Sequence, residues 1–350
     1  MGQTFNHDSF ASHIIQPATA LDTLYCVCSD ELLLRNETVD SIRQACRDKG
    51  YNERTSLILD ANGNWSAIQE CTQSISLFGD LKILEITIPT GKPGKTGATA
   101  LINLATQVQK GEITDTIIII SLPKLDKTTA KSKWAQQLLA TASVVNIANI
   151  DRQQLPAWIK QRLKKQNQSV DEATLAWMTD KVEGNLFAAH QEILKLGLLY
   201  PEGQIQAEDI ELAILDVARY DVFSLSNAML EGNGQRTVRM IQGLKAEGEA
   251  LPLVLGVMTR EIRTLYTLAS ARQQGENVSG LFRQLYIFPP RDKLIRQALE
   301  RLSLKQLMGM IQHAHDIDRL FKGYPVNGRM DDAWEEITRL ALKVVNPAIL

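Results

Sequence analysis

Four consecutive isoleucines, Ile117–Ile120, constrain the fold of this chain more than any other stretch of its sequence. A strand with one solvent-facing side alternates apolar and polar residues, whereas this run contains no polar residue. Such a strand must be covered on both faces, which is the situation of a central strand in a parallel sheet flanked by helices. The run therefore predicts an α/β domain.

Further short apolar runs through residue 150 predict the neighbouring strands, with helical patterns between them. The candidate strands are Thr23–Cys28, Ser56–Asp60, Lys82–Ile88, Thr116–Ser121 and Val144–Ile150. After Ile150 the strand signals stop, and helical patterns continue to the end of the chain, beginning with Leu155–Gln166, Asp171–Val182 and Leu186–Leu199. The predicted fold class is therefore α/β plus all-α.

Breaks in these patterns divide the chain into three predicted domains. We expect an α/β domain over residues 1–150, a small helical domain over 151–217 and a second all-helical domain over 218–350. A chain of 350 residues with 44% hydrophobic residues can bury two or three separate cores, which agrees with this division.

Charge and cysteine usage exclude several classes of protein. A net charge of −2 excludes a protein that coats nucleic acid through overall positive charge, so any contact with DNA must be regional. The cysteines, Cys26, Cys28, Cys46 and Cys71, lack zinc or extracellular disulfide spacing, and we expect buried thiols and no metal. Neither a signal segment nor a long apolar window is found, so we expect a cytoplasmic protein.

The segment Gly91–Thr96 resembles the end of a phosphate-binding loop and supports the one enzyme hypothesis, a nucleotide hydrolase that uses Lys95 and Thr96. Such a loop needs a glycine five positions before its second glycine, so that successive backbone N–H groups surround the phosphates. Pro89 occupies that position, and Pro93 removes another N–H donor. A solvated turn is the favoured interpretation.

The turn after the first predicted strand, Cys28–Leu34, is the other place where an α/β domain of this kind could hold phosphates at a helix N-terminus. It contains neither glycine nor lysine, and the carboxylates of Asp30 and Glu31 would repel a triphosphate. We therefore expect no nucleotide cofactor.

Several segments, in order along the chain, resemble the delta subunits of bacterial DNA polymerase III clamp loaders. They are Tyr25–Leu34, Ser76–Phe78, Pro123–Lys127, Val182–Leu186 with Gln191–Lys195, and Asp216–Phe223. These segments span all three predicted domains. The family is a degenerate branch of the ATPases associated with diverse activities (AAA+), in which the α/β domain and helical lid persist without a working ATP site.

The resemblance implies an accessory subunit of a DNA-directed DNA polymerase, without catalysis of its own, that binds the beta sliding clamp and opens its ring for loading onto primed DNA. It implies a hetero-pentamer with gamma or tau and delta-prime subunits, joined through a C-terminal helical collar, around primer-template DNA. The Ser-Arg-Cys motif with which relatives reach a neighbour's ATP is missing from the sequence.

The same resemblance implies that Ile75, Leu77 and Phe78 insert into an apolar pocket on the clamp. Apolar anchors of this kind commonly account for most of the binding energy of an interface. The alternative is that Leu77 and Phe78 close the core between a helix and the next strand.

Basic residues concentrate in the last third of the chain, where 18 Lys and Arg stand against 14 Asp and Glu from residue 219 onward. Phe288 and Tyr324 lie among these charges, and the resemblance places them near template DNA, where an aromatic ring can stack on a base. Arg291 and Lys293 are candidate phosphate contacts. The alternative is that both rings cap helix ends against the core and that the charges are solvated.

Overall fold

A computed structural model of the chain describes residues 2–16, 20–73, 81–214, 220–276, 278–289 and 291–348. The chain forms two compact units; the first ends at residue 162 and the second begins at residue 163. The predicted fold class is confirmed, since the first unit is built on a parallel sheet and the second is almost entirely helical. The three-domain division remains a prediction.

The first unit alternates strands and helices. Its elements are β1 (Thr4–Asn6), α1 (His7–Ile14), β2 (Leu24–Cys28), α2 (Leu32–Asp48), β3 (Tyr51–Ile58), α3 (Ser66–Gln73), β4 (Leu81–Thr87), α4 (Gly94–Gln109), β5 (Thr116–Leu122), α5 (Lys133–Thr141), β6 (Ser143–Asn146) and α6 (Leu155–Lys164). The strands form one sheet in the order β1-β6-β2-β5-β4-β3, and all pairings are parallel.

The isoleucine run lies in β5, between β2 and β4, and is buried throughout, as its composition predicts. Its side chains alternate between two apolar layers. Ile118 and Ile120 join the layer under α4 and α5, together with Cys26 and Cys28 of β2. On the other face, α2 packs on β2 and β5, and the ring of Phe10 meets that of Tyr25 edge to face. Helices therefore cover both faces of the sheet.

Strand boundaries differ from the prediction mainly at the edges of the sheet. The strand predicted over Ser56–Asp60 spans Tyr51–Ile58, because an edge strand tolerates charges such as Glu53 and Arg54 that hide it from an apolar pattern. Arg54 donates to the buried Glu85 of β4 at 2.9 Å. The last strand ends at Asn146 rather than Ile150, and the prediction missed the three-residue β1.

The second unit is helical apart from one short parallel strand pair that the sequence did not reveal. Its elements are β7 (Gln168–Ser169), α7 (Glu172–Val182), α8 (Leu186–Leu199), β8 (Gly203–Gln204), α9 (Ala207–Ala213), α10 (Val222–Glu231), α11 (Gly234–Ala246), α12 (Leu251–Gln273), α13 (Val278–Gln284), α14 (Arg291–Arg301), α15 (Leu304–Phe321) and α16 (Ala333–Val345). Asp171 is the N-cap of α7, and its carboxylate accepts from the Thr174 N–H at 2.7 Å.

A buried ion pair joins the helices before and after residue 217. Arg236 of α11 donates to both carboxylate oxygens of Glu183, which follows α7, at 2.5 and 3.3 Å. The two side chains are nearly enclosed, and Arg236 also reaches Glu231 at 2.7 Å. Because both charges have left water, each depends on the other for compensation.

We expect Arg236→Ala to lower the free energy of unfolding of the second unit by about 3–5 kcal/mol, because it removes the arginine that donates to both oxygens of the buried Glu183 carboxylate. Urea unfolding followed by circular dichroism measures the loss. Lys245→Ala is the matched control, since the Lys245–Asp332 pair is largely exposed and should cost less than about 1 kcal/mol. Equal losses from the two substitutions would contradict a buried pair.

Candidate functional site

The carboxyl ends of the parallel strands all lie at one edge of the sheet, which is where ligands bind in open α/β folds. The chain passes from β2 to the far edge strand β3, but from β5 it crosses β2 to β6, so the topological switch point lies between β2 and β5. The crevice that could hold a ligand is therefore the one between the turns that follow these two strands.

Acidic side chains occupy this crevice. The carboxylate of Asp30 accepts from the Lys124 N–H at 3.1 Å, which ties the turn after β2 to the segment after β5. Glu31 is the N-cap of α2 and accepts from the Leu33 N–H at 3.3 Å, and burial raises the pKa of this carboxyl. The helix N-terminus that would attract a phosphate is thus already matched with the protein's own carboxylate.

The Gly91–Thr96 turn lies elsewhere, after β4 and one strand away from the crevice. Its glycine content has packing explanations. At Gly94, which has a φ of +70°, an added Cβ would lie 2.9 Å from the Ala61 carbonyl oxygen. At Gly97 a Cβ would lie 2.4 Å from the indole of the buried Trp65. These contacts require glycine for close packing rather than for a phosphate.

The predicted clamp contacts, Ile75, Leu77 and Phe78, lie outside the described residues, in the stretch that connects α3 to β4. Both interpretations of this stretch, clamp contact and core closure, remain predictions.

The predicted DNA contact Phe288 lies in the loop between α13 and α14. Ile287 is buried, whereas the residues on either side of it, Tyr286 and Phe288, are 83% and 56% exposed. Tyr286 adopts a φ of +57°, which is unfavourable for a bulky residue. The loop therefore holds two aromatic rings outward around one buried anchor, and sequence reasoning had not singled out Tyr286.

Arg291, at the start of α14, is engaged within the protein. Its guanidinium donates to the Asn227 amide oxygen at 2.7 Å and to the carboxylate of Glu261. Glu261 is buried, and burial raises the pKa of its carboxyl although the charge of Arg291 opposes this. A phosphate can reach only the N–H donors that these partners leave, since the Arg291 side chain is 36% exposed. Lys293 is exposed and forms no ion pair with any described residue.

Tyr324, 59% exposed, lies in the loop between α15 and α16, and a polar network holds that loop. Arg329 donates to Asp316 at 2.8 and 3.0 Å. The Met330 N–H donates to Glu336 at 2.9 Å, and the other oxygen of Glu336 contacts the buried ring of His313. The loop that presents Tyr324 is therefore fixed by buried charged groups.

His313 is neutral in this network. Its Nδ1 lies 3.4 Å from the ammonium of Lys343, so its Nε2 carries the proton and donates to Glu336. Burial, helped by the cations of Arg329 and Lys343, lowers the pKa of His313 to about 4. His315, two residues on, is exposed, as expected for neighbours about 200° apart on a helix.

The described part of the chain contains neither a metal-binding cluster nor a membrane-spanning helix. None of its His, Cys, Asp and Glu side chains forms a group of three or more arranged to hold a metal ion. None of its helices combines the length and apolarity that crossing a membrane would require. Cys26 and Cys28, whose Sγ atoms are 3.7 Å apart, are both buried.

The parallel sheet with β2 between β6 and β5 makes the first unit an open α/β domain, and a mostly helical unit follows it. The family model for the DNA polymerase III delta subunit matches residues 25–148, and the model for the C-terminal domain of that subunit matches residues 219–332. The chain belongs to the family of DNA polymerase III delta subunits.

Individual relatives agree with this assignment. The chain is 28% identical over 293 residues to DNA polymerase III subunit delta of Escherichia coli, covering 83% of this chain and 84% of that one. It is 26% identical over 339 residues to the Haemophilus influenzae subunit, covering 93% and 96%. Among solved structures, the Bacillus subtilis DNA clamp loader delta protein shares the fold with a TM-score of 0.51 and 18% identity, covering 97% of this chain and 99% of that one.

We expect Mg-ATP to produce no saturable heat when titrated into the isolated chain, because Asp30 and Glu31 place carboxylates where a phosphate would lie. Isothermal calorimetry measures this. Saturable binding that disappears in Lys95→Ala/Thr96→Ala would instead support the nucleotide hydrolase.

We also expect the stability of the second unit to fall as the pH drops from about 6.5 to about 4. In this window the unfolded state binds a proton at His313 and the folded state does not, so each pH unit costs up to about 1.4 kcal/mol. Urea unfolding at several pH values measures the slope. His313→Gln should remove this component, while His315→Gln, at an exposed position, should leave it; an unchanged slope in His313→Gln would contradict a neutral buried histidine.

Proposed function

We propose that this chain is the delta subunit of a replicative clamp loader, which binds the beta sliding clamp and opens its ring. The observation that carries the proposal is the match of delta-family models to separate stretches in both units, residues 25–148 and 219–332. A chain that shared only the α/β architecture would match in the first unit alone. The acidic crevice supports a role in binding rather than in nucleotide hydrolysis.

The proposed clamp contact consists of Ile75, Leu77 and Phe78. Two apolar anchors and one aromatic anchor within four residues form the kind of cluster that dominates interface energies, at roughly 2 kcal/mol or more for each truncation. In the sequence these residues follow α3, which packs on α4. Gly79 allows the chain to reverse after the anchors.

Ring opening follows from differential affinity. A ligand shifts a conformational equilibrium only by the difference between its affinities for the two states. Delta must therefore bind the clamp more tightly when one interface of the ring is open. Energy from ATP enters through other subunits, which expose or hide the anchors. We propose gamma or tau and delta-prime subunits as these partners, in a hetero-pentamer that forms in the cytoplasm.

The predicted domains have distinct roles in this proposal. Residues 1–150 carry the clamp contact, residues 151–217 form a lid, and residues 218–350 form the collar that joins the subunits. Phe288 and Tyr324, both exposed, are the proposed contacts with bases of the primer-template DNA, and Lys293 is a proposed phosphate contact. Arg291 contributes through its remaining donors while Glu261 holds it in place.

Calorimetric titration of the host's sliding clamp with the isolated chain tests the proposal. We expect tight binding by the wild type and a roughly thousandfold loss in Leu77→Ala/Phe78→Ala, from two anchors of about 2 kcal/mol each. The matched control is Leu32→Ala/Ile58→Ala, which removes two exposed apolar side chains from the same unit and should leave affinity unchanged.

Circular dichroism shows whether each variant remains folded. Clamp binding that survives in Leu77→Ala/Phe78→Ala would move the contact to another surface. Lack of binding by the wild type would refute the proposed clamp-opening function.

A further inference from the structure

A groove of about 650 Å³ runs between α12 and α15 in the second unit. Small side chains keep it open, among them Gly256 and Ala314, and a Cβ added at Gly256 would meet no atom within 4 Å. Thr264 and Thr267 also line it, but their hydroxyls donate to carbonyl oxygens of α12 itself at 3.0 Å. Leu255, Leu285 and Ile311 add apolar surface, so the groove is an open feature of mixed polar and apolar lining.

Two arginines from α12, Arg260 and Arg263, line the groove. Both are exposed, and neither guanidinium makes a hydrogen bond or ion pair with any residue in the described ranges. They are three positions apart, so their side chains emerge from neighbouring points on one helix face. This contrasts with Arg291 and Arg329, whose guanidinium groups are held by Glu261 and Asp316.

The other ionisable groups around the groove do not offset the charge of the two arginines. His315 of α15 lines it and is exposed. Asp318 is the one carboxylate among the lining residues, and Lys322 pairs with it at 2.7 Å. Two like charges three positions apart on a helix repel each other. An anion bound between Arg260 and Arg263 would reduce this electrostatic repulsion.

The groove adjoins the exposed aromatic residues described above. Leu285 lines it, and the residues that follow, Tyr286 and Phe288, hold their rings outward. Unpaired cations beside exposed aromatic rings are the combination that binds single strands, because phosphates take the cations while bases stack on the rings.

We propose that Arg260 and Arg263 bind the sugar-phosphate backbone of single-stranded DNA whose bases stack on Tyr286 and Phe288. This inference rests on the proposed function only for the place of DNA in the complex, since the groove itself lies wholly in the second unit. An acidic protein segment is the rival occupant. It is disfavoured because an acidic segment would use only the arginines, whereas a single strand of DNA would use the arginines through its phosphates and the exposed rings of Tyr286 and Phe288 through its bases.

Fluorescence anisotropy of an oligothymidylate of about 16 nucleotides, titrated with the full chain at several KCl concentrations, tests the proposal. Each phosphate contact contributes about 0.7 to the slope of log affinity against log salt. We expect Arg260→Ala/Arg263→Ala to weaken binding at low salt and to reduce that slope by about 1.4. The conservative variant Arg260→Lys/Arg263→Lys should retain most of the slope.

Two further variants separate the contributions. Arg272→Ala/Lys305→Ala removes the same charge from exposed positions that do not line the groove, and it should leave affinity and slope close to those of the wild type. Tyr286→Ala/Phe288→Ala should lower affinity without changing the slope, because stacking releases no counterions. Thermal unfolding shows that each variant is folded.

The proposal is overturned if Arg260→Ala/Arg263→Ala binds the oligonucleotide with the wild-type affinity and slope, or if the wild type does not bind it. Loss of assembly with partner subunits while DNA binding persists would assign the groove to a protein instead. Clamp titration of the same variants keeps the two proposals apart. Clamp binding without DNA binding refutes only this inference, and DNA binding through the arginines without clamp binding refutes only the proposed function.

Discussion

Parallel pairing of β2 with both β5 and β6 is the constraint on which the first unit depends. Parallel strands cannot be joined by tight turns, so each connection must cross the sheet, usually as a helix. The crossings bury strands such as β5 on both faces and bring every strand's carboxyl end to one edge. The sheet contains one buried carboxylate in β4, that of Glu85. The guanidinium groups of Arg43 and Arg54 neutralise it, with N···O distances of 2.7 and 2.9 Å.

The second unit relies on a different device, the buried arginine–carboxylate pair. Arg236 joins α11 to the end of α7, Arg291 secures the start of α14, and Arg329 secures the loop before α16. Each pair has at least one member at a helix end or in a loop, where the backbone has few hydrogen bonds of regular secondary structure to define its path. The exposed rings of Phe288 and Tyr324 can therefore be held outward, at some cost in solvation, because the loops behind them are fixed.

Elements with strong local patterns could be predicted from the sequence, and those defined by long-range contacts could not. The isoleucine run located the central strand, and α8 has the predicted boundaries, whereas the strand pair of Gln168–Ser169 with Gly203–Gln204 is too short to form any pattern. The partners of Arg291 lie 30 and 64 positions away in the sequence, so the sequence shows its charge but not its hydrogen bonds to them. Arg260 and Arg263 could not be singled out from the sequence either, because only the structure shows that their guanidinium groups lack partners among the described residues.

The negative charge at the N-terminus of α2 comes from the side chain of its N-cap residue, Glu31. In a subunit that binds ATP, the bound phosphates supply the negative charge at such a helix end, and that charge changes on hydrolysis. Here the charge is a covalent part of the chain at Glu31, which accepts from its own helix at 3.3 Å. Under the proposed function, the α/β domain would therefore keep one conformation whatever the ratio of ATP to ADP. In the proposed complex, delta would be the fixed subunit relative to which the ATP-hydrolysing subunits move.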